Sequence, residues 1–187
     1  MSKIRLINAS CAEQDVDAVV NAANKYLLAG GGICGVIYRK AGYKELELAC
    51  DKYETPLKDG DAVITPSFGM KNTNAIIHAI GPNFHEKEAK LEDLQKAYYN
   101  SLIVLKDNKL HSISFPLISS GIFGGNLPNP PGISTKQCIN AYKEFVEENP
   151  DYDIEVLLCA YTPIEYYQAQ KVFQEEQVHH HVPTLTK

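Results

Sequence analysis

The spacing of apolar residues predicts an α/β fold, a mostly parallel sheet covered by helices on both faces. Short apolar runs such as Asp17-Ala-Val-Val-Asn21 and Ala75-Ile-Ile-His-Ala-Ile80 alternate along the chain with segments whose apolar residues recur every three or four positions. Strands alternating with helices form βαβ units, which need a helix layer on each side of the sheet. The 187 residues, 44% hydrophobic and 22% charged, suit one globular domain able to bury about 70% of its unfolded surface. No internal repeat or linker divides the chain. The domain is expected over residues 1–176, followed by an unpacked tail over 177–187.

Lys3-Ile-Arg-Leu-Ile7 alternates polar and apolar residues and reads as a half-buried strand, and Asp17–Asn21 reads as a buried one. A loop carrying Gly30, Gly31 and Gly32 follows. Ile33, Val36, Ile37 and the aliphatic stem of Lys40 then share one side of a helix that Gly42 stops. Tyr43 to Lys52 continues as a second helix, with Leu46, Leu48 and Ala49 inward. Asp61–Thr65 and Ala75–Ile80 are strands, the second closed by Gly81-Pro82. Glu86 to Leu105 is a long amphipathic helix with Leu91, Leu94, Ala97, Tyr98, Leu102 and Leu105 on its apolar stripe. His111–Ile118 is a strand running into the loop Ser119-Ser-Gly-Ile-Phe-Gly-Gly125. Prolines 128, 130 and 131 predict irregular chain over Pro128–Gly132, before a helix from Ser134, as its cap, to Glu148. Ile154–Cys159 is the last strand and Pro163–Glu176 the last helix.

A net charge of −5 gives no global attraction for a nucleic-acid backbone or an anionic membrane, so neither is an expected partner. An anionic ligand must then be held by backbone N–H groups and helix N-termini rather than by a field of lysines. The five cysteines (Cys11, Cys34, Cys50, Cys138, Cys159) are odd in number and form no C-x-x-C pair. They read as free, mostly buried thiols in a reducing compartment, not as a disulfide framework or zinc knuckle. The N-terminus lacks the apolar core of a signal peptide, and no apolar run approaches the roughly 20 residues of a membrane helix. The expectation is a cytoplasmic monomer with no cofactor and no metal. His179-His-His181 is read as part of a solvated tail, because consecutive histidines do not make a three-ligand site on regular structure.

In open α/β sheets, ligands sit outside the carboxyl ends of the strands. Both glycine-rich loops follow strands and precede helices, so each presents unblocked N–H groups with a helix dipole behind them. Two such loops facing one crevice suit a pyrophosphate. Other phosphate and hydrolase signatures fit less well: G-x-x-x-x-G-K-[ST] and G-x-S-x-G are absent. Gly30, Gly32 and Gly35 match G-x-G-x-x-G, but about nine residues separate them from Asn21, whereas that fingerprint turns tightly off its strand; the match is read as accidental.

Three blocks carry a family resemblance. The string Val19-Val-Asn-Ala-Ala-Asn-Lys-Tyr-Leu-Leu-Ala-Gly-Gly-Gly-Ile-Cys-Gly-Val-Ile-Tyr38 resembles the first ligand loop of macrodomains. Ile76-Ile-His-Ala-Ile-Gly-Pro82 and Phe115-Pro-Leu-Ile-Ser-Ser-Gly-Ile-Phe-Gly124 resemble further macrodomain blocks in the same order, and the likeness spans nearly the whole chain. The resemblance implies a three-layer α/β/α sandwich with a mixed, mostly parallel central sheet and an ADP-ribose crevice. It implies that Asn24 contacts the distal ribose, that Gly31 and Gly32 line it, and that Phe123 lies over it. Ile33 and Cys34 would stand at the first phosphate-side loop, with Val36 beneath the diphosphate. Ser120, Gly121, Ile122 and Gly124 would offer N–H groups to the phosphates, and Ala22 and Ser119 complete the implied ligand-binding set.

Two positions depart from the family pattern. Ser10 stands where macrodomains commonly place an aspartate for the adenine amino group, so adenine recognition is weaker or rests on backbone groups near Ser10 and Cys11. Tyr161, near the end of the last strand, is the candidate to face the adenine; the alternative is that it packs elsewhere. Cys34 stands where many hydrolytic members carry an aspartate after the glycine triplet. An alphavirus macrodomain group, which resembles this chain around Ile77-His-Ala-Ile-Gly-Pro-Asn-Phe84, carries cysteine there and is associated with hydrolysis. Cys34 therefore stays beside Asn24 and Phe123 in the candidate catalytic set.

Hydrolysis of an ADP-ribosyl ester needs a water against the anomeric carbon and stabilisation of an oxocarbenium-like transition state. Neither loop holds an evident carboxylate pair, so the expected route is substrate-assisted, with a diphosphate oxygen orienting the water, Asn24 and Phe123 orienting the ribose, and amides stabilising the diphosphate. A helix N-terminus lowers a thiol pKa, yet no histidine adjoins Cys34, so packing or ribose contact ranks ahead of nucleophilic attack. His78 is read as structural. The resemblance implies a mono-ADP-ribosyl hydrolase acting on acidic-residue esters of modified proteins and on O-acetyl-ADP-ribose. The alternative is a reader module that binds ADP-ribose without cleaving it. RNA binding conflicts with the acidic balance.

Overall fold

A computed structural model describes the backbone of residues 1–185 and the side chains of residues 1–177. The elements are β1 (Lys3–Asn8), β2 (Val16–Ala23), α1 (Gly32–Ala41), α2 (Tyr43–Cys50), β3 (Ala62–Pro66), β4 (Thr73–Ile80), α3 (Leu91–Asp107), β5 (Ser112–Pro116), α4 (Pro130–Glu148), β6 (Glu155–Ala160) and α5 (Pro163–Leu185). Short 3-10 turns stand at Cys11–Glu13 and Ile122–Gly124. The strands form one sheet in the order β1-β6-β5-β2-β4-β3, with only β3 antiparallel.

Side chains of a strand alternate between faces, and here the alternation divides two cores. Val19, Ile76 and Leu157 point into the layer of α1 and α2, against Ile37, Tyr38 and Leu46. Ala18, Val20, Ile77 and Leu158 point the other way, against Leu94 and Leu102 of α3 and Phe145 of α4. Each fully buried leucine or isoleucine contributes roughly 1.5–3 kcal/mol. The expected mixed, mostly parallel three-layer sandwich is the one observed. Because β1, β6, β5, β2 and β4 run the same way, their carboxyl ends share one edge, and the loops that leave them gather there.

Several expectations are corrected. The helix expected from Ser134 begins at Pro130, because a proline at the first helical positions has no N–H to lose and its φ is already helical. Asn129, at φ 53, caps it by accepting from the Gly132 amide at 3.2 Å. Ser134 is instead wholly buried inside α4. The strand expected through Ile118 stops at Pro116, and Leu117 and Ile118 stay in the core as loop residues. α3 starts at Leu91 rather than Glu86, since residues 86–90 carry nothing for its apolar stripe. Leu48 is 64% exposed, because Leu46, Ala49 and Cys50 occupy the inward side of α2 and position 48 lies about 200° round the helix from 46. α5 extends past Glu176 to Leu185; the expected unpacked tail over 177–187, with its histidines, has side chains that fall almost wholly outside the described residues. All five cysteines are free and buried. Among the described residues no helix is long and apolar enough to cross a membrane, and no group of histidine, cysteine or carboxylate side chains is placed to hold a metal.

One buried polar chain fixes the start of the second glycine loop. The Ile118 amide donates to the Tyr98 hydroxyl (2.9 Å), Tyr98 pairs with Ser134 Oγ (2.6 Å), and Ser134 donates to the Ile118 carbonyl (2.6 Å). Tyr98→Phe strands the Ile118 amide in the core, at a cost of about 1–3 kcal/mol. The expected result is a lower urea midpoint with an unchanged m-value by circular dichroism; an unshifted midpoint would refute this account of the chain.

Candidate active site

The first glycine loop leaves β2 through Asn24, whose carboxamide organises the turn that follows. Its Oδ1 accepts from the amides of Tyr26 and Leu28, each at 3.1 Å, and its Nδ2 donates to the Leu28 carbonyl at 2.8 Å. That leaves one Nδ2 hydrogen uncommitted. α1 then begins at Gly32, at φ 57, with no side chain capping it. The first amides of a helix have no internal partner, and those of Gly31, Gly32 and Ile33 donate to no acceptor among the described residues. A Cβ on Gly31 or Gly32 would meet nothing within 4 Å, so the space before the loop is open. Gly35 differs: a Cβ there would stand 2.7 Å from the Gly30 carbonyl oxygen, so the helix packs directly on its own loop.

The second loop is tied down from behind and free in front. Ser119 Oγ donates to the Pro82 carbonyl (2.7 Å) and Ser120 Oγ to the Leu117 carbonyl (2.8 Å). The Phe84 amide donates to the Phe123 carbonyl (2.8 Å), and the His85 ring, through Nε2, donates to the Ile122 carbonyl (2.9 Å). The Gly124 amide closes the turn on Gly121, while those of Gly121, Ile122 and Phe123 find no acceptor among the described residues. Gly81 allows this approach, because a Cβ there would lie 2.4 Å from both Ile118 and Ser119 side chains.

A cavity of about 190 Å3 is lined by Asn24, Lys25 and Tyr26 at the start of the first loop, by Ile80 and Gly81 at the end of β4 and by Phe123 of the second loop, while Gly31, Gly32, Ile33 and residues 119–122 lie outside its lining. The two residues expected to hold the distal ribose are thus brought together. The cavity also takes in Asp59, Asn83 and Glu86, which sequence reasoning missed. Asn83 sat inside a block already singled out, and Lys58-Asp-Gly-Asp61 is a turn sequence; nothing in the sequence linked either to Asn24.

Other expected site residues separate into two groups. Ser10 and Tyr161 reach one edge together, because Asn8 Nδ2 donates to the carbonyls of Ala160 (2.9 Å) and Tyr161 (3.1 Å). Tyr161 is 72% exposed, so it does not pack elsewhere. Ser10 Oγ is occupied in capping the Ala12 amide. Ala22 and Val36 are half-buried below the first loop. Cys11 and Cys34, by contrast, turn their side chains into the core. Cys11 Sγ lies 3.6 Å from the Val20 carbonyl, and burial pushes its thiol well up. Cys34 Sγ lies 3.7 Å from Asn21 Nδ2 and from the Leu28 carbonyl. Burial pushes the Cys34 thiol up, offset in part by hydrogen bonds from Asn21 and the Gly30 amide, which corrects the lowering expected of a helix N-terminus.

Beneath Cys34, Asn21 Nδ2 donates to His78 Nδ1 at 3.1 Å, which leaves the His78 proton on Nε2 to be donated to Thr65 Oγ1 at 2.9 Å. His78 is fully buried, and burial pushes it down to about 4. It supports the site from below, as the structural reading held.

A family model for the Macro domain matches residues 20–129.

The chain belongs to the macrodomain family.

The O-acetyl-ADP-ribose deacetylase of Salmonella newport is 39% identical to this macrodomain over 127 residues, 66% of this chain and 70% of its own length. The ADP-ribose glycohydrolase MACROD2 of Homo sapiens is 33% identical over 175 residues, 92% of this chain. This macrodomain spans 40% of the human protein and 28% of a relative from Thermotoga maritima. The Oceanobacillus iheyensis macrodomain solved with ADP superposes with a TM-score of 0.83 at 29% identity, covering 93% of this chain and 91% of that one.

Two outcomes are expected. Gly31→Ala, whose Cβ meets no protein atom, leaves the urea unfolding midpoint within experimental error; a lowered midpoint would show that the loop itself requires glycine there. His78 makes the macrodomain acid-sensitive. The unfolded chain takes up its proton near 6.5 and the folded chain only near 4, so the contribution is complete above 6.5 and lost as pH falls to 4. The loss is ~3 kcal/mol. Urea midpoints across that range should fall in the wild type and fall less in His78→Gln.

Proposed function

We propose that this macrodomain binds ADP-ribose, hydrolyses mono-ADP-ribose from acidic side chains of modified proteins, and removes the acetyl group of O-acetyl-ADP-ribose by attack of a water on the acetyl ester. The observation that carries the reading is the cavity shared by Asn24 and Phe123, which belong to two loops with unpaired amides. The amides of Gly31, Gly32 and Ile33 on one side, and of Gly121, Ile122 and Phe123 on the other, suit a diphosphate that the acidic chain could not attract by net charge. The distal ribose then enters the cavity, with the free Nδ2 hydrogen of Asn24 for a hydroxyl and the Phe123 ring excluding bulk water. Toward β6, adenine meets Tyr161 and the Cys11 amide, which has no acceptor among the described residues. The relatives named as a deacetylase and a glycohydrolase, and the neighbour solved with ADP, support the same reading.

On modified proteins the attack proceeds on the anomeric carbon, with a diphosphate oxygen orienting the water and the ester carboxylate leaving. Residues 1–176 form the working unit, acting as a monomer, and five free, buried thiols suit a reducing, cytoplasmic setting. A second reading, a module that holds ADP-ribose without cleaving it, is favoured by one observation: buried Cys34 brings no carboxylate to the first loop.

Incubation with a protein mono-ADP-ribosylated on glutamate or aspartate, beside calorimetry with ADP-ribose, separates these readings. Release of ADP-ribose is expected, reduced at least tenfold in Asn24→Ala. Asn24→Asp keeps both acceptor bonds of the turn but sets an oxygen against the Leu28 carbonyl, so the urea midpoint of each variant is measured beside its rate; a lost rate at an unchanged midpoint assigns the effect to the ligand contact and not to loop collapse. Tight binding without release makes the macrodomain a reader. Neither binding nor release refutes both readings.

A further inference from the structure

Hydrolysis at the anomeric carbon frees a proton from the attacking water. A diphosphate oxygen is well placed to orient that water but is too weak a base to carry the proton away at neutral pH. Neither glycine loop supplies a base: Cys34 is buried, and Asn24 and Phe123 carry none.

Folding brings a carboxylate to the same cavity from outside both loops. Asp59 lines the space that Asn24 and Phe123 share, and its side chain is 21% exposed. It stands on a turn closed by the Asp61 amide on the Lys58 carbonyl (3.0 Å) and by the Lys58 amide on Asp61 Oδ2 (2.8 Å). The tip is anchored on three sides. The Leu57 amide donates to the Lys25 carbonyl of the first loop (2.8 Å), the Gly60 amide to the Ile80 carbonyl (2.7 Å), and Asn100 Nδ2 to the Gly60 carbonyl (2.7 Å). Gly60 holds φ 94 to make the turn. One Asp59 oxygen, Oδ1, pairs with Lys25 Nζ at 3.5 Å; Oδ2 has no partner among the described residues. A carboxylate on an anchored turn, with one oxygen in an ion pair and the other without a partner among the described residues, suits a general base beside a bound ribose. Glu86, the other carboxylate of the cavity, is exposed on the turn after Asn83 and has no cation within 4 Å among the described residues to fix it.

We infer that Asp59 is the general base of the hydrolytic site. This rests on the hydrolase reading above. A water held between Asp59 Oδ2 and the anomeric carbon gives its proton to Asp59 as its oxygen bonds to that carbon. The bond to the ester oxygen breaks, its electron pair leaves with the protein carboxylate, and Asp59 releases the proton to solvent. The products are ADP-ribose, a free carboxylate side chain and one proton.

The experiment compares Asp59→Asn, Lys25→Gln and Glu86→Gln with the wild type for ADP-ribose release and ADP-ribose affinity, with and without sodium azide. Azide is a nucleophile with no proton to lose. Asp59→Asn is expected to bind ADP-ribose within threefold of the wild type and to release it about 100-fold more slowly, in the range of general-base removal. Azide should restore substrate consumption at least tenfold in that variant, with ADP-ribosyl azide as product. Lys25→Gln breaks the same ion pair but keeps the carboxylate, and should lose far less. The assignment is overturned if Asp59→Asn keeps more than a third of the rate, or if its loss matches a loss of affinity and azide restores nothing. It is also overturned if Lys25→Gln loses as much, or if Glu86→Gln gives the azide-rescued defect instead. A wild type that binds ADP-ribose but releases none refutes the hydrolase reading itself, and the assignment with it.

Discussion

β2 and β4 lie side by side in the sheet, and at the pair Asn21 and His78 their register is held by a hydrogen bond buried on all sides. Asn21 Nδ2 and both nitrogens of His78 are paired, while Asn21 Oδ1 is buried with no partner among the described residues, and a slip of one residue would turn both side chains toward the opposite layer. The bond therefore permits one alignment. That alignment sets Ala23 beside Ile80, so the turn at Asn24 and the turn at Gly81 start next to each other. Thr65 of β3 and Cys34 of α1 join the same cluster, which couples the floor of the site to its first loop. The cavity, the approach of Gly81 to Ser119 and the reach of Asp59 all depend on strands that end level with one another.

On the proposed function, charge recognition above this floor is left to the main chain. With 18 basic against 23 acidic residues, the chain does not attract an anion at long range. Amides at close range and behind a helix start supply the attraction instead, and they are available because each loop satisfies its other polar groups locally. Asn24 closes its own turn, Ser119 and Ser120 close theirs, and Phe84 and His85 take up the carbonyls of Phe123 and Ile122. Among the described residues, what remains unpaired is a set of main-chain donors in the two loops.

The strands and both glycine loops were legible because their signals are local: apolar period, glycine after a strand, a breaker at Gly42. The start of α4 was not, because prolines 130 and 131 break a helix interior yet favour its first turn, and only the Asn129 cap decides between those roles. Position relative to a helix end also misled at Cys34. There the dipole argues for a lowered thiol, but the side chain turns into the core, and burial outweighs it. Asn24 and Phe123 were legible through resemblance to other sequences. Asp59, Asn83 and Glu86 were not, because nothing local marks a turn residue whose neighbours come from distant segments of the chain.

The tight seam between the two rims changes where heritable variation can accumulate. Leu28 and Ile122, one in each glycine loop, expose 61% and 86% of their surface, so neither side chain is needed to hold the core. A substitution at either changes the surface of its loop without opening the core beneath it. At Gly81, where only a hydrogen atom fits between Ile118 and Ser119, no side chain is tolerated. Gly81 therefore constrains the chain through the contact of one loop with another, independently of anything bound between them.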